Sequence, residues 1–587
     1  MPKDVEEAIL LVKKNERDEA ARRLRDVLQR RPKDAHAHLG MAMIALHMAQ
    51  NMDGLRLVRA ALELGLDSSE AHRLHGIALN ELGAQAAAVD ALKACLQRAP
   101  DDYHALCHIA KALNTLGRYE ESLGHIEAAL RARPDDPLPL NELLSAARQL
   151  GYWDRAHLAL EALTRIADRE IAQGRMSSLA PFTGVTAGIP ASLHRRIAKT
   201  WAAHTGTTDK KRPRPKVRPK DVLHVAYLSP DLNGHPVGML MAPLFESHDR
   251  TRVRVSAIAL KSAVDATTER IREGADAFLC AHAMDDDELE AWIRGHEVDI
   301  LVDCAGYTLQ NRNAVLAREP APIRVHYLGY PGTLGPIVDY HLTVEARDPL
   351  ETEAYEEPLV WLPRTFVAPD RLPEPESKPS RAQLGLPEDR RLFGFLGAHY
   401  RIEAQVWDAW MQILDQAPEV DLILMDGPAR PRLEGRARDA GHRERLRFLP
   451  RSLLSQSWAQ TLLDLYLDTF VVSAGTGGIV TVYSGVPLLT VKGPKPESRT
   501  GAAVVSAMGR PDMAADDRAA YVARAIELGR DFDQLVELRR DFKARRTTAP
   551  LFDTPAFARD LEDAYEQMWR RALEGRPFES FRVSPPE

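Results

Sequence analysis

The sequence predicts a superhelix of short helical repeats followed by two doubly wound α/β lobes. Three observations carry this. The first third is self-similar with a period of 34 residues. From Val222 onward, short β-rich runs alternate with amphipathic stretches, the texture of parallel sheets with crossover helices. A stretch rich in Pro and charge, Pro369 to Arg391, divides those runs into two sets.

The repeat shows in separate phases. Pro32, Pro100 and Pro134 stand at multiples of 34, and Ala37, Ala71 and Ala105 share a second phase, as do Gly83, Gly117 and Gly151. Small residues recur at Ala20, Gly54, Ala88, Ser122 and Ala156, each followed four positions on by Leu24, Val58, Leu92, Ile126 or Leu160. Small residues let two helices of a unit approach closely, and the larger residue four on lies on the same helical face. Proline stops the second helix. Each pair leaves an apolar face that only the next pair covers, so the units stack into a superhelix. The pattern is of the tetratricopeptide class, with about four units through residue 150 and a further helical pair to about Asp168. An accidental bundle would not keep several phases in step.

Composition excludes several classes. Net charge is −7 and the pI near 6.3, so bulk electrostatics give no reason to expect nucleic acid. The run Lys210-Lys211-Arg212-Pro213-Arg214-Pro215-Lys216 reads as a solvated linker, with a polyanion contact as the sharper alternative. The four cysteines, Cys95, Cys107, Cys280 and Cys304, form no CxxC pair and give neither a disulfide framework nor a zinc site. The charged N-terminus lacks a signal-peptide core, and no apolar run of about 18 residues occurs. The expectation is a cytoplasmic protein without a membrane contact.

The first set of strands is Val222–Leu228, Val253–Leu260, Val298–Asp303 and Ile323–Leu328; the second is Leu392–Leu396, Val420–Met425, Leu462–Leu467 and Pro487–Val491. A helical pattern returns at Ala556 to Arg571. Two such lobes facing each other are the GT-B architecture, and ligands in such sheets sit outside the carboxyl ends of strands. The expected organisation is repeats over 1–168, a helical connection and basic linker over 169–221, a first lobe over 222–380, and a second lobe with its C-terminal helices over 381–587. The loops that fall at the cleft are Ser229-Pro230-Asp231 to His235, Ala305-Gly306-Tyr307-Thr308, Gly329-Tyr330-Pro331-Gly332-Thr333, Gly397-Ala398-His399-Tyr400-Arg401, and Asp468-Thr469 leading to Gly475-Thr476-Gly477-Gly478. The last of these opens a helix predicted to run to Ser484, which would place free N–H groups where a phosphate could sit.

In these loops the chain resembles the O-GlcNAc transferase and SPINDLY family, glycosyltransferase family 41. The resemblance adds Leu328-Gly329-Tyr330-Pro331-Gly332-Thr333-Leu334-Gly335, Ser484-Gly485-Val486-Pro487, Ser498-Arg499 and Pro550-Leu551-Phe552-Asp553, and covers nearly the whole chain. It implies inverting transfer of a sugar from a nucleotide donor to a protein Ser or Thr, without a metal or other cofactor. It also implies that the repeats bind the protein acceptor. By the resemblance His235 and Arg401 are the catalytic candidates: the imidazole as general base or else as a residue that only orders its loop or binds donor, the guanidinium as phosphate clamp rather than a surface salt bridge. The donor and its nucleotide fall to Gly329, Pro331, Gly332, Thr333, Tyr400, Arg451, Gly475, Thr476, Gly477 and Arg499. His399 is divided between a solvated and a functional reading, His326 reads as a satisfied core residue, and the role of Arg294 is open.

The chain also departs from the family. Arg401 and Arg451 stand where the family has lysines, and Ala398 where it has a glutamine. Gly475, Gly477 and Val480 replace a histidine, a threonine and an aspartate of the O-GlcNAc transferase branch. A planar guanidinium is not a neutral exchange for an ammonium at a phosphate site. Donor identity is therefore open among UDP-GlcNAc, GDP-fucose and CMP-linked nonulosonic acid. The last fits bacterial relatives that glycosylate flagellin, which makes flagellin a candidate acceptor. A catalytically degenerate repeat scaffold is the alternative function; a repeat chaperone explains only residues 1–168. Oligomeric state is not written in the sequence.

Overall fold

The structure, a computed structural model, describes residues 1–205, 212–349, 352–370, 378–455 and 458–584. It divides into two compact units, Met1–Ile166 and Ala167–Glu587.

The first unit is built of helices in pairs: α1 (Lys3–Lys13) with α2 (Arg17–Arg30), α3 (Ala35–His47) with α4 (Asn51–Glu63), α5 (Ser69–Glu81) with α6 (Gln85–Arg98), α7 (Tyr103–Thr115) with α8 (Tyr119–Ala132), and α9 (Pro137–Leu150) with α10 (Trp153–Ala172). The period of 34 has a capping basis. Asp34, Ser68, Asp102 and Asp136 each accept a backbone N–H in the first turn of the helix they open. Leu24, Val58, Leu92 and Ile126 are fully buried, which accounts for their shared phase. Asn80 and Asn114, also 34 apart, reach into the following unit to the carbonyls of His108 (2.8 Å) and Glu142 (3.0 Å). These side chains fix the register between neighbouring repeats.

The second unit opens with α11 (Pro181–Ala187) and α12 (Ala191–His204). Two parallel sheets follow. The first contains β1 (Leu223–Ser229), β2 (Val253–Ala259), β3 (Ala277–Cys280), β4 (Ile300–Asp303), β5 (Ile323–His326), β6 (Tyr340–Thr343) and β7 (Leu359–Trp361). The second contains β8 (Arg391–Phe395), β9 (Val420–Met425), β10 (Leu446–Leu449), β11 (Leu465–Leu467), β12 (Leu488–Val491) and β13 (Ala514–Ala515). A final strand, β14 (Phe581–Arg582), joins the first sheet, whose order is β14-β7-β6-β5-β4-β1-β2-β3; the second runs β10-β9-β8-β11-β12-β13. All predicted strands are present, but the one expected at Leu462 starts at Leu465, because Ala459–Leu462 is a 3-10 turn.

Two expectations are corrected. Residues 381–587 are not one lobe: the helix Thr554–Leu573 and β14 return to the first. Glu562, fully buried on that helix, accepts from His248 Nδ1 (2.9 Å), the backbone N–H of Asp249 (2.9 Å) and Arg252 (3.3 Å). Tyr565 Oη lies 3.1 Å from Tyr227 Oη, and β14 pairs with β7. The second correction concerns the basic run. Lys210 and Lys211 lie outside the described residues. Arg214, however, is pinned to Glu319 (2.7 Å) and Asp339 (3.0 Å) and stacks on Phe578. Arg294 donates to the Pro213 carbonyl, so the stretch is pinned to the lobe at Pro213 and Arg214, while the Arg212 and Lys216 side chains stay exposed. Among the described residues no helix is long and apolar enough to cross a membrane.

Glu562→Ala should destabilise the protein by about 3 kcal/mol, because it leaves His248 Nδ1 and the Asp249 N–H without their acceptor beside a buried gap, while Arg252 keeps Asp563 and Glu566. Chemical denaturation followed by far-UV circular dichroism measures this, and a loss below about 1 kcal/mol would contradict it.

Candidate active site

In each sheet the strand order reverses once, between β4 and β1 in the first and between β8 and β11 in the second. At such a switch point neighbouring loops part and leave a crevice. The residues singled out in the sequence fall there: His235 follows β1, Gly306-Tyr307-Thr308 follow β4, Tyr400-Arg401 follow β8, and Gly475-Thr476-Gly477 follow β11. Gly329–Thr333, Arg451 and Arg499 follow β5, β10 and β12 at the same ends.

In the first lobe His235 caps α13 (Pro236–Ser247). Its Nδ1 accepts from the Val237 N–H at 3.3 Å and stands 3.7 Å from Asp231, which Lys261 holds at 3.0 Å. A neutral ring in this pose carries its hydrogen on Nε2 and offers a donor there. The loop before it is fixed by Gly234 N–H to Asp265 (2.8 Å).

The loop after β5 is strained and heavily anchored. Leu328 (φ 63°) and Gly329 (φ 35°) are both left-handed, and a Cβ on Gly329 would fall on the Cys304 carbonyl. His326, fully buried, bridges Asp303 (2.8 Å) and the Tyr330 carbonyl (2.9 Å), so it is the satisfied core residue expected. Thr333 is fully buried and donates to Glu357, whose other oxygen accepts from Leu334 N–H at 3.0 Å. Burial pushes the Glu357 carboxyl above its ordinary range. Thr333 therefore shapes the loop from inside, while Gly329 and Pro331 stand partly exposed.

In the second lobe the pivot is Asp468, fully buried at the end of β11. It accepts from Thr469 N–H (2.8 Å), Ala474 N–H (2.9 Å) and Thr490 Oγ1 (2.7 Å). Burial raises its pKa, opposed by Arg401, whose Nη2 lies 3.5 Å away. Arg401 also donates through Nε to Val472 O (2.9 Å) and lies over the Phe395 ring. Its buried Nη2 makes no hydrogen bond. Arg401 also belongs to the fold: its side chain is only 13% exposed and pairs with an interior carboxylate.

The turn so formed delivers Gly475 to the start of the helix Thr476–Tyr483, where no side chain caps the first N–H groups. Arg499 donates Nη1 to Gly493 O (3.2 Å), while its Nε is buried without a hydrogen bond. Burial draws its pKa down, with Asp348 of the first lobe opposing. Ser473 ties this segment to the turn through Glu497 O (2.9 Å). The arrangement has the features of an anion site: an uncapped helix start, with guanidinium groups on both adjoining segments. His399 belongs to the scaffold. Buried, it accepts from Ala429 N–H (3.0 Å) and donates to Met425 O (2.8 Å), so it is not the solvated residue offered by the sequence, and both its ring nitrogens are committed to backbone. Arg451 is exposed in a 3-10 turn, and Tyr400 is half-buried.

Val480 lines a mostly apolar crevice of about 310 Å³ between the lobes, with Met239, Leu240, Ile479, Tyr483 and Phe552. Among the described residues no three His, Cys, Asp or Glu side chains converge as metal ligands do.

The family profile described as Glycosyl transferase family 41 matches residues 199–374 and 371–561. The chain belongs to that family. Tetratricopeptide repeat profiles match residues 5–48, 41–103 and 86–137 of this family 41 chain. A relative from Arabidopsis thaliana, a probable UDP-N-acetylglucosamine–peptide N-acetylglucosaminyltransferase SEC, is 30% identical over 444 residues, covering 71% of this chain and 45% of its own. A tomato (Solanum lycopersicum) relative, the probable UDP-N-acetylglucosamine–peptide N-acetylglucosaminyltransferase SPINDLY, is 30% identical over 395 residues, 65% of this chain and 42% of that one. The family 41 chain thus spans less than half the length of these curated relatives. Among solved structures, a point mutant of Thermobaculum terrenum O-GlcNAc transferase superposes with a TM-score of 0.66 at 25% identity, over 92% of this chain and 98% of its own.

Sequence reasoning missed Asp468 as the pivot, and missed Glu357 altogether; their partners are distant in sequence and leave no local pattern. Arg401→Ala should destabilise by about 3 kcal/mol at pH 7.5, because it leaves Asp468 buried and charged. A raised carboxyl pKa means the folded state holds its proton longer, so stability falls as pH rises through that pKa. The deficit of Arg401→Ala relative to wild type should accordingly shrink at pH 5, where Asp468 can protonate. Urea titrations at both pH values test this; an equal deficit would contradict it.

Proposed function

We propose that this chain is a protein O-glycosyltransferase, moving a sugar from a nucleotide donor to a Ser or Thr hydroxyl of a protein gripped by its repeats. The observation that carries the reading is the anion site at the second switch point of a family 41 chain. There the uncapped helix start at Thr476 follows the Val472 carbonyl that Arg401 binds and the Ser473 that ties in the segment carrying Arg499, and each arginine has a buried nitrogen that makes no hydrogen bond. In an inverting displacement the acceptor oxygen attacks the anomeric carbon as its bond to the donor phosphate breaks. Negative charge then grows on the leaving phosphate, and fixed N–H dipoles and guanidinium groups stabilise it without reorganising. The same groups would replace a divalent metal in that role. His235, with Nδ1 committed to Val237, fits a hydrogen-bond donor to substrate better than a general base unless its ring turns over.

The relatives support UDP-GlcNAc as donor. Val480 in an apolar crevice, where the O-GlcNAc branch has an acid, supports keeping GDP-fucose and CMP-linked nonulosonic acid in the test. A ligand that binds only the native state at 100 times its Kd raises stability by about 2.7 kcal/mol, so a thermal-shift panel of the three donors identifies the nucleotide. No shift with any donor would favour the scaffold reading.

Arg499→Ala should lower turnover about 10²–10³-fold, the loss of one charge-stabilising group. Activity within threefold of wild type would remove Arg499 from the phosphate site. EDTA should leave turnover unchanged, and restoration by Mg²⁺ or Mn²⁺ after its loss would overturn the metal-free reading.

A chain beginning at Ala167 should keep donor binding by calorimetry but lose modification of the protein acceptor, with flagellin as the first acceptor to assay. Normal glycosylation by this truncated chain, read by mass spectrometry, would show that the repeats do not recruit.

A further inference from the structure

The segment between repeats and sheets is not a passive connection. His194, on the first turn of α12 and 5% exposed, places Nε2 2.7 Å from Tyr330 Oη. Tyr330 is therefore held at both ends, by His194 at its hydroxyl and by His326 at its carbonyl. The same imidazole sets the path of the loop at Gly332, where any Cβ would meet His194 Cε1. Burial pushes the His194 pKa down to about 4, with Lys495 adding to the effect, so the ring is neutral and can accept from the tyrosine hydroxyl.

The turn between α11 and α12 reaches the other lobe. The Ile189 carbonyl accepts from Lys495 Nζ (3.0 Å), which also pairs with Glu497 (2.8 Å). Gly188 abuts Val471, next to the residue whose carbonyl Arg401 binds. One short segment thus touches the loop after β5 and both second-lobe segments that frame the helix start at Thr476.

We propose that His194 is a positioning residue of the transferase: through Tyr330 it fixes the Gly329–Thr333 loop, while the Ala187–Pro190 turn holds that loop in register with the second lobe. This rests on the cleft being a nucleotide-sugar site, but the contact itself can be tested without that premise. A contact that served only global stability would lower the thermal midpoint and leave the cleft of the surviving folded protein normal. A positioning contact changes how the folded protein binds donor.

With whichever donor of UDP-GlcNAc, GDP-fucose or CMP-linked nonulosonic acid is turned over, His194→Ala should raise the donor KM at least about tenfold with kcat within about threefold. His194→Gln, whose amide oxygen can accept from Tyr330, should recover most of that loss. Tyr330→Phe should reproduce the defect, and the double variant should be no worse than the poorer single one. Independently, amide hydrogen exchange of the full-length free protein should quicken in residues 328–335 of His194→Ala and stay unchanged in β1, β2 and β4. An unchanged KM, multiplying defects, or unchanged exchange in 328–335 would overturn the proposal. If wild type turns over none of the three donors, the nucleotide-sugar reading fails and the exchange measurement alone decides the role of His194.

Discussion

The carboxylate of Asp468 is the constraint on which the second half of the cleft depends. The chain must turn from a buried strand to a helix that presents bare N–H groups, and a buried turn leaves its own polar groups unsatisfied. Asp468 gathers two loop N–H groups and a threonine hydroxyl at hydrogen-bond distance, and faces the Arg401 guanidinium. A lone buried carboxylate would be costly; the bonds and the cation together offset its desolvation. The side chain read in sequence as a clamp on substrate is thus first a counter-ion to the scaffold. Its buried Nη2 is the nitrogen that faces the carboxylate, 3.5 Å away and without a hydrogen bond.

The same device recurs across both sheets. At the first switch point Asp303 accepts from Gly306 N–H (2.7 Å) and pairs with His326, just as Asp468 pairs with Arg401. At the opposite ends of the strands, Asp299 takes His224 N–H (2.9 Å) and Lys220 (2.8 Å). Asp339 takes Arg324 N–H (2.8 Å) and its guanidinium, and Asp464 takes Leu392 N–H (2.8 Å) and Arg381. Each acid joins a strand to its neighbour; Asp299, Asp339, Asp464 and Asp468 also face a Lys or Arg side chain, and Asp303 faces the His326 ring. Asp339 and Asp464 are held by a second arginine as well, Arg214 and Arg539, and these bonds mark where strands end and loops begin.

This explains what the sequence could and could not disclose. The repeats were legible because caps and small residues recur at a fixed spacing, as Asp34, Ser68, Asp102 and Asp136 do. The long strands were legible from β-branched runs. Of the short strands, β4, β5, β11 and β12 were legible too, but β3, β6, β7 and β10, of three or four residues, and β13 and β14, of two, were not, because their neighbours define them more than their own residues do. The return of the C-terminal helix to the first lobe rests on Glu562 and Tyr565, whose partners lie more than 300 positions away. The cleft loops were found because they follow strands and carry the family's motifs. The groups that hold them, Glu357 beneath Thr333 and His194 beneath Tyr330, have no motif, since any residue of suitable shape and hydrogen bonding could meet that need from a distant segment.

A cleft held in this way is assembled before any ligand arrives. The left-handed Leu328 and Gly329, and the uncapped start at Thr476, are conformations a free loop would abandon. They persist because Glu357, His326 and Asp468 bind the backbone around them. Catalysis by fixed dipoles needs that order, since a donor group that must rotate into place as charge develops gives back much of what it stabilises. It also separates two tasks that share one cleft. Asp303, Glu357 and Asp468 keep its shape from inside, whereas Val480 and Met239 face the open crevice and can change without disturbing them. Of the family departures, Val480 falls on the open crevice, away from these acids, whereas Arg401 falls on the partner of Asp468, so an exchange there must also suit the interior.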